Sequence, residues 1–392
     1  MQASSKPLRR IYMDNAATTW PKCQAGVQAA CDYVEHCGAT AGRGAYRSAL
    51  NAENLLLEAR VNVADLIGAQ NSKTIAFCNS GTHALNCLLH GLLDRESIVL
   101  TTEMEHNSVL RPLVQLFGGT DENLCFAPAD ASGRADLTAT EGMVTEKTQA
   151  LVLGHASNVT GAVNDLGTWS QFARRNGLTF LVDVSQTLGY VPINCDASGI
   201  GGLAAAGHKG LRGLVGTGLL MLGVDYWPNL IPLMQGGTGT ASENVRANPT
   251  WPHSVEVGNL NLPGIASMSA AAGQLARLED LAAGWRPTFE HLVRGLLEIE
   301  SVNVVGDYDF SKEHNFVPVV SIKVDDWDIG DLGNILDGEY GIEARTGWHC
   351  AALVHDHLGS VESGGTLRFS TSRSTSIDEV DFVLASLREI LG

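Results

Sequence analysis

From about residue 70 onward, short apolar runs alternate with stretches of helical periodicity. Thr74-Ile75-Ala76-Phe77-Cys78 predicts a strand, and Ala84, Leu85, Leu88, Leu89 and Leu92 then recur on one helical face. Ile98-Val99-Leu100, Leu151-Val152-Leu153 and Phe180-Leu181-Val182 predict further strands, each with a helical stretch before or after it. This is the rhythm of βαβ units and predicts an α/β fold built on a mostly parallel sheet. Past Gly258 the texture changes to an alanine-rich amphipathic helix from Ile265 to Leu281, followed by strand-like Val302-Val304-Val305 and Val317-Val319-Ser321-Ile322. Ser376-Ile377-Asp378-Glu379 reads as a capping box, and Val380, Val383, Leu384, Leu387 and Leu391 form one face of the helix it opens. The expected division is a large domain over 16–258 and a smaller α+β domain over 259–392, joined by 1–15.

The totals agree with a globular chain. Its 392 residues are 44% hydrophobic, enough for a sizeable core in two domains. A formal net charge of -17 with no basic stripe argues against nucleic acid or an anionic membrane as a partner. The first ten residues have no apolar core for a secretory signal, and the run from Leu214 to Val224 is too short to span a bilayer, so a cytoplasmic location is expected. Eight cysteines occur without a Cys-x-x-Cys pair, which speaks against a zinc ribbon and leaves most of them as reduced fillers.

Candidate chemistry gathers just past the predicted strands, where open α/β sheets bind ligands. Lys209 stands in Gly207-His208-Lys209-Gly210, after the small apolar run Gly202-Leu203-Ala204-Ala205-Ala206. A partly desolvated lysine there has a lowered pKa and serves as a Schiff-base amine; a surface lysine in a glycine-rich turn is the alternative. Asn79-Ser80-Gly81-Thr82 lies between a strand and the helix it opens, which suits phosphate binding or plain N-capping. Asp183 ends an apolar run, where a protonated ring nitrogen or neighbouring amides would compensate it. His106 can stack on a planar cofactor or shuttle a proton, while Asn158 and Gln186 can bond a phenolic oxygen or serve turns. Together these groups suit an aldehyde cofactor that carries a phosphate.

At this point the chain resembles the class V aminotransferase-fold enzymes that depend on pyridoxal phosphate, and within them the cysteine desulfurases. The resemblance spans nearly the whole chain. It is carried in order by Tyr12-Met13-Asp14-Asn15-Ala16-Ala17-Thr18-Thr19, Ser80-Gly81-Thr82, Glu105-His106-Asn107, Ser157-Asn158-Val159-Thr160-Gly161 and Val182-Asp183-Val184-Ser185-Gln186. Gly207-His208-Lys209-Gly210, Arg345-Thr346-Gly347-Trp348-His349-Cys350-Ala351 and Gly365-Thr366-Leu367-Arg368-Phe369-Ser370 complete it. The implied fold is the aspartate aminotransferase-like fold type I, a large sheet domain with a smaller α+β domain.

The resemblance also implies roles. Lys209 is the lysine that bonds the cofactor aldehyde, Asp183 the partner of the ring nitrogen, and His106 the stacking residue. Asn158 and Gln186 flank the phenolic oxygen, while Ser80, Gly81, Thr82 and His208 hold the phosphate. Arg368 clamps the substrate carboxylate, with Asn15 and Ala16 beside the substrate, and Cys350 accepts the sulfur. The short loop after Cys350 is similar to that of the branch whose members pass sulfur to a separate acceptor protein, and the family implies a homodimer. Two departures bear on cofactor affinity: Ala206 stands where the family usually has Ser or Thr, and Asn259 where it usually presents threonine to the neighbouring subunit's phosphate.

The implied reaction takes sulfur from L-cysteine, leaves L-alanine and forms a persulfide on Cys350. Selenocysteine lysis, C–S elimination and transamination are alternatives on the same cofactor. A zinc cluster of Cys350, His355 and His357 is an alternative of another class, although a fourth ligand is not evident. A phosphate loop around Gly202 to Lys209 is a poor match, because His208 interrupts the Gly-Lys step and no Ser or Thr follows the lysine. The last alternative is a non-catalytic scaffold that retains the fold.

Overall fold

The computed structural model describes residues 9–392 except 43, 119–121, 131, 240–242 and 246–248. Residues 1–8, expected to lack a signal core and to join the smaller domain, lie outside the described residues. The chain begins with β1 (Ile11–Tyr12), α1 (Gln24–His36), α2 (Arg47–Ile67), β2 (Ile75–Cys78), α3 (Gly81–Leu92), β3 (Ile98–Thr102) and α4 (Asn107–Phe117). It continues through β4 (Leu124–Ala127), α5 (Leu137–Thr140), β5 (Thr148–Gly154), α6 (Leu166–Arg175), β6 (Thr179–Asp183), β7 (Gly202–Ala206) and β8 (Gly218–Leu222). Next come α7 (Leu262–Leu275), α8 (Arg286–Leu297), β9 (Val302–Val305), β10 (Val319–Val324) and α9 (Ile329–Tyr340). The last elements are β11 (Ile342–Glu343), β12 (Arg345–Gly347), α10 (Val354–His357), β13 (Thr366–Ser370) and α11 (Ile377–Leu391).

Seven strands form the large sheet in the order β2-β8-β7-β6-β5-β3-β4, and only β8 runs against the rest. The interior strands are apolar on both faces because helices cover both, which is why they read as continuous runs. β7 contains only glycine, leucine and alanine, and all five residues are buried. Small size is needed here: a Cβ on Gly81 of α3 would lie 3.0 Å from the Ala206 nitrogen and 3.0 Å from Ser185 Oγ. The start of α3 therefore packs directly on the end of β7.

Four further strands form an antiparallel sheet, β12-β13-β10-β9, and β1 pairs in parallel with β11. The predicted capping box at Ser376 is present: its side chain accepts from the Glu379 nitrogen, and the Glu379 carboxylate accepts from the Ser376 nitrogen. The alanine-rich helix is shorter than its periodicity predicts, ending at Leu275, with the chain turning before Leu281. Val317 lies just outside β10, bonded across to Gly161, rather than within the strand.

The helix over Leu262–Leu275, assigned by the sequence to the smaller domain, lies against α1 and α2, and its buried residues share the apolar cluster of the large sheet. A separate cluster unites Ile11, Met13 and Ala16 with residues 282–387. The division between the two clusters thus falls near 281–282. Trp285, Phe289 and Phe316 centre the second cluster with ring centroids 5.5–6.2 Å apart. Among the described residues no helix is long and apolar enough to cross a membrane.

Candidate active site

The ends of β2, β3, β5, β6 and β7 open into one cavity of about 210 Å³. It brings together Ser80, Gly81, Thr82, His106, Asn158, Asp183, Gln186, His208 and Lys209, as the positions past the strands require. Ala16 and Arg368 enter from the second cluster's side. Asn15 does not line this cavity. Its Nδ2 donates to the Ser370 carbonyl (2.8 Å) and its Oδ1 accepts from the Trp20 nitrogen (3.2 Å), so it fastens backbone. Asn259 is also elsewhere, lining a second cavity with Arg60 and Trp251.

Ser80 caps α3, its Oγ accepting from the His83 nitrogen (3.0 Å). The first-turn N–H groups of α3 have no acceptor within the helix and face the cavity end where Thr82 and His208 lie. Thr82 Oγ1 meets Ser108 Oγ at 2.8 Å, and His208 Nδ1 is buried without a partner. An anion at this helix end would engage both the free amides and the orphaned imidazole nitrogen. Ala206 adds only a methyl group, so the hydroxyl that the family usually places here is missing.

His106 Nδ1 accepts from the Ser108 nitrogen (3.0 Å), which leaves the ring proton on Nε2. Burial, followed by Lys209, Arg345 and Arg368, pushes His106 down to about 3, so its ring is neutral. Burial likewise lowers Lys209 to about 8, against the opposing pull of Asp183 and with help from Arg368 and Arg345. A substantial fraction of this lysine is then a free amine near neutral pH. Asp183 is held by the Ser185 nitrogen on Oδ1 (2.9 Å).

Arg368 is 1% exposed, and its fork is already engaged. Nη2 donates to Asp14 Oδ1 (2.6 Å) and Nη1 to the Asn158 carbonyl (3.0 Å), while Nε has no partner. A carboxylate entering the cavity would therefore meet a guanidinium oriented by Asp14, a partner that the sequence motif contained without revealing its contact. Gln186 Nε2 donates to the Ala16 carbonyl (3.2 Å), tying the first turn of the chain to this wall.

Cys350 is exposed, and Arg345, which lines the cavity, places its Nη2 3.3 Å from the Cys350 sulfur. His349 and Cys350 have φ values of 48° and 60°, an unfavourable region for residues other than glycine. Neighbouring bonds hold this turn: Asn158 Nδ2 to the His349 carbonyl (2.6 Å), and the Asn107 nitrogen to the Cys350 carbonyl (2.7 Å). Although it adjoins Cys350 in sequence, His349 contributes no positive charge beside the thiol. Burial pushes it to about 2, and its Nε2 is taken up by Thr366. Arg345 supplies the cation. Replacing it with alanine is expected to slow alkylation of the Cys350 thiol by a maleimide about tenfold, and an unchanged rate would show that the arginine does not activate the thiol.

The zinc alternative finds no support in the geometry. His355 Nδ1 bonds Ser360 Oγ (2.8 Å), His357 Nε2 bonds the Asp130 carbonyl (2.9 Å), and no group of three or more metal-ligating side chains occurs among the described residues.

The pattern of the aminotransferase class-V family matches residues 11–383. The chain belongs to that family. A probable cysteine desulfurase from Methanothermobacter thermautotrophicus is a class-V relative 33% identical over 395 residues, covering 98% of this chain and 96% of its own length. The apo structure of a cysteine desulfurase from Thermococcus onnurineus NA1 superposes with a TM-score of 0.88 at 28% identity, covering 97% of this chain and 94% of that one. The S-sulfonic acid form of the cysteine desulfurase CsdA from Escherichia coli, at 24% identity and a TM-score of 0.85 over 97% of this chain and 94% of that one, shares the fold. The class-V fold is therefore the aspartate aminotransferase-like fold type I that the motif order implies. Asp14 and Glu105 are clamp and cavity residues to which sequence reasoning gave no role in the site; each lay inside a quoted motif, but no spacing rule marks such a residue.

Proposed function

We propose that this protein is a pyridoxal-phosphate-dependent cysteine desulfurase that converts L-cysteine to L-alanine and receives the sulfur as a persulfide on Cys350. The single observation that carries this reading is the exposed Cys350 thiol, set against Arg345, which itself lines the cavity that contains Lys209. The residues present fit the cofactor: an anion site at the start of α3, a carboxylate at the end of β6, and a partly neutral lysine between them. When bound, pyridoxal phosphate supplies the electron sink for the pair left at the substrate Cα.

The chain's own groups do the rest. Arg368, oriented by Asp14, binds the substrate carboxylate and so directs Cα toward Lys209. The free amine of Lys209 takes the Cα proton. Asp183 would hold the ring nitrogen, and His106, a neutral imidazole whose Nε2 carries a proton, would cover the ring. Cys350 Sγ then attacks the substrate sulfur; the new S–S bond forms as the Cβ–S bond breaks, and the carbon frame regains protons to leave as alanine.

Purified protein with a visible cofactor band, alanine formation from L-cysteine, and a loss of alanine formation of at least about a hundredfold in Cys350→Ala with the band retained are the expected results. Undiminished alanine release by Cys350→Ala would overturn transfer through this thiol. A second test concerns the missing hydroxyl. Ala206→Ser is expected to tighten pyridoxal phosphate binding by about tenfold, the worth of one hydrogen bond to a charged group, measured by fluorescence titration of the apoprotein. Unchanged affinity would place the phosphate away from β7.

A homodimer and a separate sulfur-acceptor protein belong to the same reading. Leu50, Leu57 and Val61 form an exposed apolar stripe on α2, and Ile231, Leu233 and Met234 are exposed nearby in sequence to the second cavity's lining. A second copy covering these surfaces suits the position of Asn259. Eight unpaired cysteines suit a cytoplasmic setting.

A further inference from the structure

Glu105 lies in the turn between β3 and α4, one residue before His106. It is 1% exposed and lines the cavity that contains Asp183 and Lys209. Oε1 accepts from Thr102 Oγ1 and from the Gly154 nitrogen, both at 2.8 Å, whereas Oε2 is buried without a partner. Gly154 stands opposite Asp183 in the pairing of β5 with β6, and a Cβ on Gly154 would lie 2.9 Å from Glu105 Oε2. The orphaned oxygen is thus packed against the strand end beside Asp183.

Two carboxyl groups that share a desolvated site do not both ionise, and the more buried one keeps the proton. Asp183 is the less buried of the two and has an amide donor on Oδ1. Glu105 has the deeper position. The geometry points to Glu105 as a positioning residue for the ring-nitrogen site: it is the neutral member of a Glu105–Asp183 carboxyl pair and keeps the pair's single negative charge on Asp183. This inference rests on the cavity being the pyridoxal phosphate site.

The surrounding charges are consistent with it. Glu105 is raised to about 8, chiefly by burial, against the bonds from Gly154 and Thr102 and with a smaller push from Asp183. Just past β5, burial pushes His155 down to about 3, and His106, capping α4, is also at about 3, so both rings are neutral. From the turn after β7, Lys209 lies at about 8, and Arg345 and Arg368 close the cavity from the other side. Because Lys209 titrates in the same range, the test must read the carboxyl group itself.

Infrared difference spectroscopy on holoenzyme and apoprotein reads it through the C=O stretch of a protonated acid. Wild type at neutral pH is expected to show this band and Glu105→Gln to lack it; in apoprotein the band bleaches as pH rises through about 8. Asp183→Asn, by removing the neighbouring charge, is expected to move the bleaching down by about one pH unit or more. In the holoenzyme, the absorbance of bound pyridoxal phosphate should change with the same midpoint as the bleaching in wild type and lose that transition in Glu105→Gln. Identical spectra for wild type and Glu105→Gln, or a bleaching pH indifferent to Asp183→Asn, would overturn the pair. If Glu105→Gln does not fold, Thr102→Val replaces it: loss of the donor to the ionised form should raise the bleaching pH, with Thr102→Ser restoring it, and no change would overturn the inference. A wild type that takes up no pyridoxal phosphate would overturn the cofactor reading and the positioning role with it, whereas the apoprotein band fails only when the assignment of Glu105 is wrong.

Discussion

Lys209→Ala is expected to lower alanine formation from L-cysteine by at least about 10⁴-fold, because one side chain both bonds the cofactor aldehyde and moves the Cα proton. The fold should survive, since among the described residues the Lys209 amine holds no neighbour by a hydrogen bond and the backbone carbonyl remains to accept from Thr19 and Arg212. The same residue makes a pH prediction that does not depend on turnover. Only a neutral amine attacks an aldehyde, and burial lowers Lys209 from its ordinary value of 10.5 to about 8. The neutral fraction therefore grows as pH rises toward 8 and levels off above it. The rate at which apoprotein takes up pyridoxal phosphate should rise up to about tenfold between about pH 7 and pH 9, then flatten. A rate still climbing steeply past pH 9 would mean an ordinary, solvated lysine and would remove the reason for singling it out.

Arg60→Ala is expected to destabilise the protein by about 3–5 kcal/mol, the cost of leaving a buried charge without its partner. Arg60 of α2 donates to Glu256 Oε2 (2.6 Å) and to the Ile75 carbonyl, and Glu256 Oε1 accepts from the Phe77 nitrogen (2.8 Å). β2 is the edge of the large sheet, paired on one side with β8. The ion pair therefore satisfies, with side chains, the backbone groups that another strand would have taken up. Both partners are buried, so solvent does little to weaken the contact. Urea unfolding of apoprotein checks this; a change below about 1 kcal/mol would show the carboxylate to be hydrated or repaired by rotation. Glu256→Gln should also destabilise, because with the amide oxygen kept on the Phe77 nitrogen an NH2 donor faces the Arg60 guanidinium and leaves its buried charge unpaired.

The two predictions differ in how far the sequence foresaw them. Lys209, Asp183 and Ser80-Gly81-Thr82 were legible because each follows an apolar run, and strands that run parallel deliver such positions to one edge. Arg60 and Glu256 were not, since they lie 196 positions apart and nothing in local periodicity marks an arginine on α2 as the cover of a strand edge. The alanine-rich helix shows a related failure. Its periodicity announced a helix at the right place, but its apolar face fits either domain equally, and only packing against α1 and α2 assigned it to the large sheet.

By itself the sequence determined the alternation of strands and helices, the capping box at Ser376, and the order of the motifs that identify the family and converge on one sheet edge. Those depend on neighbours within a few turns of chain, where hydrophobic period and backbone capping act directly. Tertiary structure alone decided which charges are real and where they point. It neutralised His106 and His349 by burial, turned Asn15 toward backbone, gave Arg368 to Asp14, set Arg345 against Cys350, and buried Glu105 beside Asp183. The reason is physical: desolvation and Coulomb energy depend on distances in space, and residues such as Asp14 and Arg368, 354 positions apart, acquire a distance only when the chain is folded.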